Sequence, residues 1–117
     1  MCGIAGIHRF GDAPLGAAVL AEDRDRTAAM LRALEYRGPD DMGLEQAGRV
    51  TFGARRLSIL DVAGGHQPLS DASGRVWAMQ NGELYDLPRL RADLSTRHRF
   101  RTHTDTELLP HLYLERG

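Results

Sequence analysis

The spacing of apolar positions along this chain changes period several times, and each change marks an element. Residues 3–8, Gly-Ile-Ala-Gly-Ile-His, form a short apolar run rich in glycine, which predicts a buried strand that lets another backbone or a ligand come close. Gly11 to Gly16, with Asp12 and Pro14, reads as a turn. From Leu20 to Glu35 the recurring positions are Leu20, Thr27 or Ala28, Leu31 and Leu34, the spacing of one helical face. Tyr36-Arg37-Gly38-Pro39-Asp40-Asp41 ends that helix, because Pro39 restricts Gly38 and cannot continue the hydrogen-bond ladder. Arg49 to Arg56 and Leu57 to Asp61 then read as strand, with Gly53 marking a bulge or a close approach.

Ala63 to Pro68 is predicted as loop, Ser70 to Gly74 as turn, and Val76 to Gln80 as a returning strand, so the middle of the chain suggests hairpins in a sheet. After Asn81-Gly82-Glu83 the pattern turns helical again: Asp86 can cap, Pro88 suits a first turn, and Leu87, Leu90 and Leu94 share a face. Thr104-Asp105-Thr106-Glu107 has the form of a capping box, which predicts a last helix starting there and closed by Gly117. Pro110 conflicts with that start, since six positions into a helix it removes a donor, so a kink or a late start is expected.

At 117 residues and 42% apolar content the chain suits one small domain. Its 15 basic residues, all arginine, nearly balance 16 acidic ones, which argues against a nucleic-acid binder driven by bulk charge. Arg97-His98-Arg99-Phe100-Arg101 looks like a basic patch with an aromatic, but so short a run is expected to be a solvated turn or strand. No stretch approaches the roughly 18 continuous apolar residues of a membrane span, no signal-peptide plan opens the chain, and one cysteine cannot form an internal disulfide, so a cytoplasmic location is expected. The five histidines match no structural zinc spacing, and no glycine-rich phosphate loop is present, so neither a metal nor a nucleotide is expected in this chain.

The single cysteine is Cys2, directly after Met1. If Met1 is trimmed, one residue carries a free α-amine and a thiol, so base and nucleophile share a Cα and the base acts at high effective concentration. An inert core cysteine is the plain alternative, and this feature alone does not choose between them.

Four further stretches bear on the choice: Arg37-Gly38-Pro39-Asp40-Asp41, Arg56-Leu57-Ser58-Ile59-Leu60-Asp61, Asn81-Gly82-Glu83-Leu84-Tyr85 and Thr104-Asp105-Thr106-Glu107. In this order, behind Met1-Cys2-Gly3-Ile4, they resemble the glutaminase domain of glutamine-dependent asparagine synthetases, a branch of the class II glutamine amidotransferases. The resemblance implies an α+β fold of the N-terminal-nucleophile hydrolase type, an αββα sandwich of which only the front portion is present, over residues 1–117.

It also implies the roles. Cys2 would attack the side-chain amide of glutamine, and Asn81 and Gly82 would supply the oxyanion hole. Arg56 would grip the α-carboxylate, while Asp105, with Glu83 beside it, would receive the α-ammonium. Read without the family, Asn81-Gly82 is a turn, Arg56 a surface charge and Asp105 first-turn helix decoration. Arg37 to Asp41 is expected to brace the pocket from behind.

Ala54, Tyr36 and Asp86 depart from the family pattern, which usually has histidine at the first two and asparagine at the third. By resemblance, the ammonia would pass to aspartate in a C-terminal synthetase half holding ATP and magnesium, and the full enzyme would be a homodimer. That half is expected to be missing here, since the chain lacks its Ser-Gly-Gly-x-Asp-Ser signature, so the chain reads as a fragment. The other serious reading is a noncatalytic homologue that binds glutamine or a partner chain; a class II amidotransferase with another nitrogen acceptor is a further alternative.

Overall fold

A computed structural model describes residues 1–58 and 64–117. Strand β1 (Gly3–His8) leads to helix α1 (Ala17–Ala33) and a single 3-10 turn at Glu35–Arg37. Strands β2 (Asp41–Ala47) and β3 (Val50–Arg56) follow, then the short strands β4 (Leu69–Ser70) and β5 (Trp77–Ala78), and helices α2 (Leu87–Leu94) and α3 (Leu108–Arg116). The class is α+β.

β3 lies between β1 and β2, antiparallel to both, in the order β1-β3-β2. Gly3 pairs with Arg55 and His8 with Val50; on the other side Asp41 pairs with Arg56 and Ala47 with Val50. The register runs without interruption through Gly53, so that residue marks a close approach and not a bulge. A Cβ there would stand 2.4 Å from the Gly43 carbonyl oxygen and 2.6 Å from Cδ1 of Leu31, the fully buried residue by which α1 sits on the sheet. Leu31 is buried between α1 and one face of the sheet, while Phe52 and Ala54 are buried on the opposite face of β3, Phe52 with its ring 5.9 Å from that of Trp77; Leu94 and Leu108 bury a further apolar contact where α2 meets α3.

Polar ties lock the layers. Arg9, just past β1, donates to Asp23 of α1 through Nε at 2.9 and 3.2 Å and through Nη2 at 2.6 Å. Asp23 is buried, and these bonds hold its carboxyl below the usual range. Arg49 gathers the segment between β1 and α1 by donating to the carbonyls of Arg9, Phe10 and Ala13. The β4–β5 turn is organised by buried Asp71, whose carboxylate accepts from the backbone of Ser73, Arg75 and Val76.

Several elements differ from expectation. β2 carries no clear strand pattern, because Asp, Gly, Glu and Gln are weak strand formers, and pairing with β3 decides it. Of the predicted strand over Leu57 to Asp61, Leu57 and Ser58 are not strand, while Ile59 to Asp61 lie outside the described residues, as does Ala63 of the predicted loop. The returning strand shrinks to Trp77–Ala78.

Asp86 stands at the N-cap of α2, but with φ of 57° and no cap bond from its side chain. The capping box does not form either. Glu107 turns back to accept from the backbone N–H of Arg101 at 2.8 Å and of Thr102 at 2.7 Å, and from the Thr102 hydroxyl at 2.6 Å. α3 therefore starts late, at Leu108, which leaves Pro110 inside the first turn where its missing N–H is harmless, and Gly117 closes the helix. No helix among the described residues is long and apolar enough to cross a membrane.

Candidate active site

A cavity of about 330 Å³ opens where the start of β1, the end of β3, the stretch after β5 and the entry to α3 converge. That volume suits a small molecule of amino-acid size. All six residues singled out in the sequence line it: Cys2, Arg56, Asn81, Gly82, Glu83 and Asp105. They come from four separate parts of the chain, and only the fold brings them together.

Cys2 immediately precedes β1, and its Sγ lies 3.9 Å from the Leu57 carbonyl oxygen. Arg37 donates through Nε to the Cys2 carbonyl at 3.2 Å, pinning the backbone of that residue. The neighbouring aspartates hold the adjoining walls: Asp40 accepts from the Ser58 N–H at 2.7 Å, and Asp41 meets Nδ1 of His66 at 2.7 Å. The stretch from Arg37 to Asp41 thus sits behind the cavity, as its sequence suggested, and none of its residues lines it.

Arg56 and Arg55 separate because successive strand residues point to opposite faces. Arg56 ends β3, is 5% exposed and faces the cavity, whereas Arg55 reaches Glu35 at 3.1 Å. The Arg56 guanidinium lies against Gly65, where a Cβ would stand 2.2 Å from Nη2, so a side chain there would push the guanidinium from its place.

Asp105 is buried at the entry to α3, and its Oδ2 accepts from the Leu84 N–H at 2.9 Å. This bond draws the Asn81-Gly82-Glu83 stretch towards Asp105, although those three residues are themselves exposed. A buried guanidinium, Arg56, and two carboxylates, Glu83 and Asp105, thus line the one cavity.

Five further residues line it: Met1, Leu57, Gln67, Tyr85 and Thr104. Leu57 and Thr104 adjoin residues already marked by motif, but Gln67 lies in a stretch read only as loop, and nothing in the local pattern shows that it is buried. Ala54, in place of a family histidine, is 1% exposed and does not reach the cavity. Tyr36 is 80% exposed. Asp86 occupies a left-handed position that asparagine and aspartate tolerate better than most residues. Among the described residues no group of three or more His, Cys, Asp or Glu is placed to hold a metal ion.

The chain is 39% identical to "Asparagine synthetase [glutamine-hydrolyzing] 2" of Bacillus subtilis (strain 168), over 100% of its own length and 15% of that protein's. It is 40% identical to "Asparagine synthetase [glutamine-hydrolyzing] 1" of the same organism, over 93% of its own length and 17% of the relative's. The corresponding protein 1 of Lotus japonicus is 37% identical over 100% of the chain and 19% of the relative. The chain therefore spans less than a fifth of each. The family described as "Glutamine amidotransferase domain" matches residues 1–117, from the first residue to the last, and the chain belongs to it.

Proposed function

We propose that this chain is the front part of a glutaminase domain that hydrolyses glutamine to glutamate and ammonia through a thioester on Cys2. The observation that carries the reading is the convergence of Cys2, Arg56, Asn81, Gly82, Glu83 and Asp105 on one cavity. While Met1 is attached, the Cys2 nitrogen is a peptide amide with no basic lone pair. Removal of Met1, which lines the same cavity, frees the amine and enlarges the space beside the thiol.

In the proposed reaction the α-amine takes the thiol proton and the sulfur attacks the side-chain amide carbon, forming a C–S bond and an oxyanion. The Asn81 side-chain amide and the Gly82 N–H stabilise that oxygen. Collapse breaks the C–N bond, and the amine returns the proton to the departing ammonia. Water then attacks the thioester, releasing glutamate and restoring the thiol. Arg56 holds the α-carboxylate as a planar fork, and Asp105 with Glu83 holds the α-ammonium, so a free amino acid is preferred to a peptide.

The relatives bear the name glutamine-hydrolysing asparagine synthetase, and on that basis the ammonia is proposed to amidate aspartate. By the same resemblance, ATP and magnesium are proposed to belong to a separate synthetase portion, and no step here runs through them. In the same reading the α+β layers form one side of a four-layer αββα sandwich, the full enzyme is a homodimer, and a nucleophilic thiol suits a reducing cytoplasm.

Mass spectrometry after incubation with a glutamine-mimicking electrophile tests this reading. Label is expected on Cys2 of the Met1-free chain and should disappear with Cys2→Ala or with Met1 retained. Glutamine binding without label would instead favour a noncatalytic glutamine binder.

A further inference from the structure

No step above uses Gln67, yet it is 5% exposed, lines the cavity and spends its whole side-chain amide on two other parts of the site. Its Oε1 accepts from the backbone N–H of Gln80 at 2.9 Å, and its Nε2 donates to Oγ1 of Thr106 at 2.9 Å. Thr106 is fully buried, follows Asp105 directly and also accepts from Nε2 of Gln80 at 3.2 Å.

Gln80 directly precedes Asn81, so the bond from Gln67 fixes the peptide that feeds the oxyanion donors. At the far end of the same stretch, Leu84 is held by Asp105. Asn81, Gly82 and Glu83 are exposed and have little packing to fix them, so they hang between these two side-chain anchors. Both anchors meet in the stretch from Thr104 to Glu107, which links the aim of the oxyanion donors to the place that receives the α-ammonium.

Resting on the glutaminase reading, we propose that Gln67 is a positioning residue that aims the Asn81 and Gly82 donors and ties them to the Asp105 wall. It touches no substrate atom in this role. A donor displaced by about 1 Å loses on the order of 10² in rate, and losing a donor altogether loses about 10² to 10³.

Steady-state glutamine hydrolysis by the Met1-processed protein, in the longest form its gene encodes, provides the test. Gln67→Met keeps the length and removes both bonds; kcat should fall about 10²-fold while KM for glutamine stays within about 3-fold. Thr106→Val, which removes the far anchor, should lower kcat about 10-fold, and Thr106→Ser, which keeps the hydroxyl, should restore it. If Gln67→Met does not unfold cooperatively, the Thr106 pair decides by the same kcat readout.

Unchanged kcat in Gln67→Met, a loss expressed in KM alone, or equal activity of Thr106→Val and Thr106→Ser would overturn the inference. A wild-type protein that hydrolyses no glutamine and takes no label at Cys2 overturns the parent reading and this one with it. An active wild type with an indifferent Gln67 removes this inference alone.

Discussion

Arg55 and Arg56 are adjacent, identical and both buried, yet the fold gives them different work. Arg56→Ala should raise KM for glutamine about 10- to 100-fold with a smaller effect on kcat, because a charge-assisted fork on the substrate carboxylate is worth roughly 1.5–3 kcal/mol. Arg55→Ala should leave KM unchanged and lower only the thermal midpoint, since its partner is Glu35 at 3.1 Å. Kinetics and melting curves on the two variants check both outcomes. Asn81→Ala should lower kcat about 10²- to 10³-fold at nearly constant KM, the pattern of a donor used only in the transition state. The motif singles out Arg56, and strand alternation gives the physical reason that Arg56 lines the cavity and Arg55 does not. Gln67 and Glu107 show the opposite case. Their partners are Gln80, Thr106, Arg101 and Thr102, and no local spacing separates a buried amide from a loop amide or a capping glutamate from one that turns back.

At the level of elements, α1 and α3 are held by different means. α1 rests on the sheet through Leu31 over Gly53; Gly53→Ala should destabilise the chain by about 1–3 kcal/mol through overpacking, read by denaturant melts. α3 depends more on titratable contacts. Glu115 accepts from Arg97 at 2.6 and 3.0 Å and meets His98 at 2.9 Å, and these bonds, Arg97 foremost, lower its carboxyl to about 2. His111 is 3% exposed, against the rings of His98 and Phe100, and burial foremost, with His98 second, pushes its imidazole below 6.5.

Both groups bind protons more readily in the unfolded chain, so both contribute stability that is complete above their unfolded values and lost on acidification. The His111 contribution should fall away as pH drops below about 6.5, and the Glu115 contribution between about 4.5 and 2. Melting temperature against pH checks this; His111→Phe should remove the upper phase and leave the lower. Apolar spacing predicted α1 over Leu20 to Glu35, against Ala17–Ala33 observed, whereas α3 was predicted from the Thr104–Glu107 capping box and starts at Leu108 instead, because Glu107 bonds back to Arg101 and Thr102.

Across the whole molecule, the chain measures 44 × 34 × 19 Å with a radius of gyration of 15.0 Å, above the roughly 13 Å of a compact domain near this size. The β1-β3-β2 sheet has β1 and β2 as its outer strands, and Ile4, Phe10, Met42, Tyr113 and Leu114 are exposed. A groove bounded by Val50, Phe52, Trp77 and Met79 adds to this apolar surface. Expressed as these 117 residues alone, the polypeptide should self-associate at micromolar concentration. Light scattering that finds a monodisperse monomer there would contradict the expectation.

The sequence by itself determined the chemistry on offer: a cysteine behind the initiator methionine, an arginine, an Asn-Gly pair and an acidic pair, together with the face of α1. These follow from side-chain type and short-range period, which are local. Tertiary structure alone decided that β2 is a strand paired to β3 and that Gln67 stands behind Asn81, bonded to Gln80 and Thr106. Each of those depends on a hydrogen bond or close packing between residues far apart in the chain, and local spacing carries no record of such a partner.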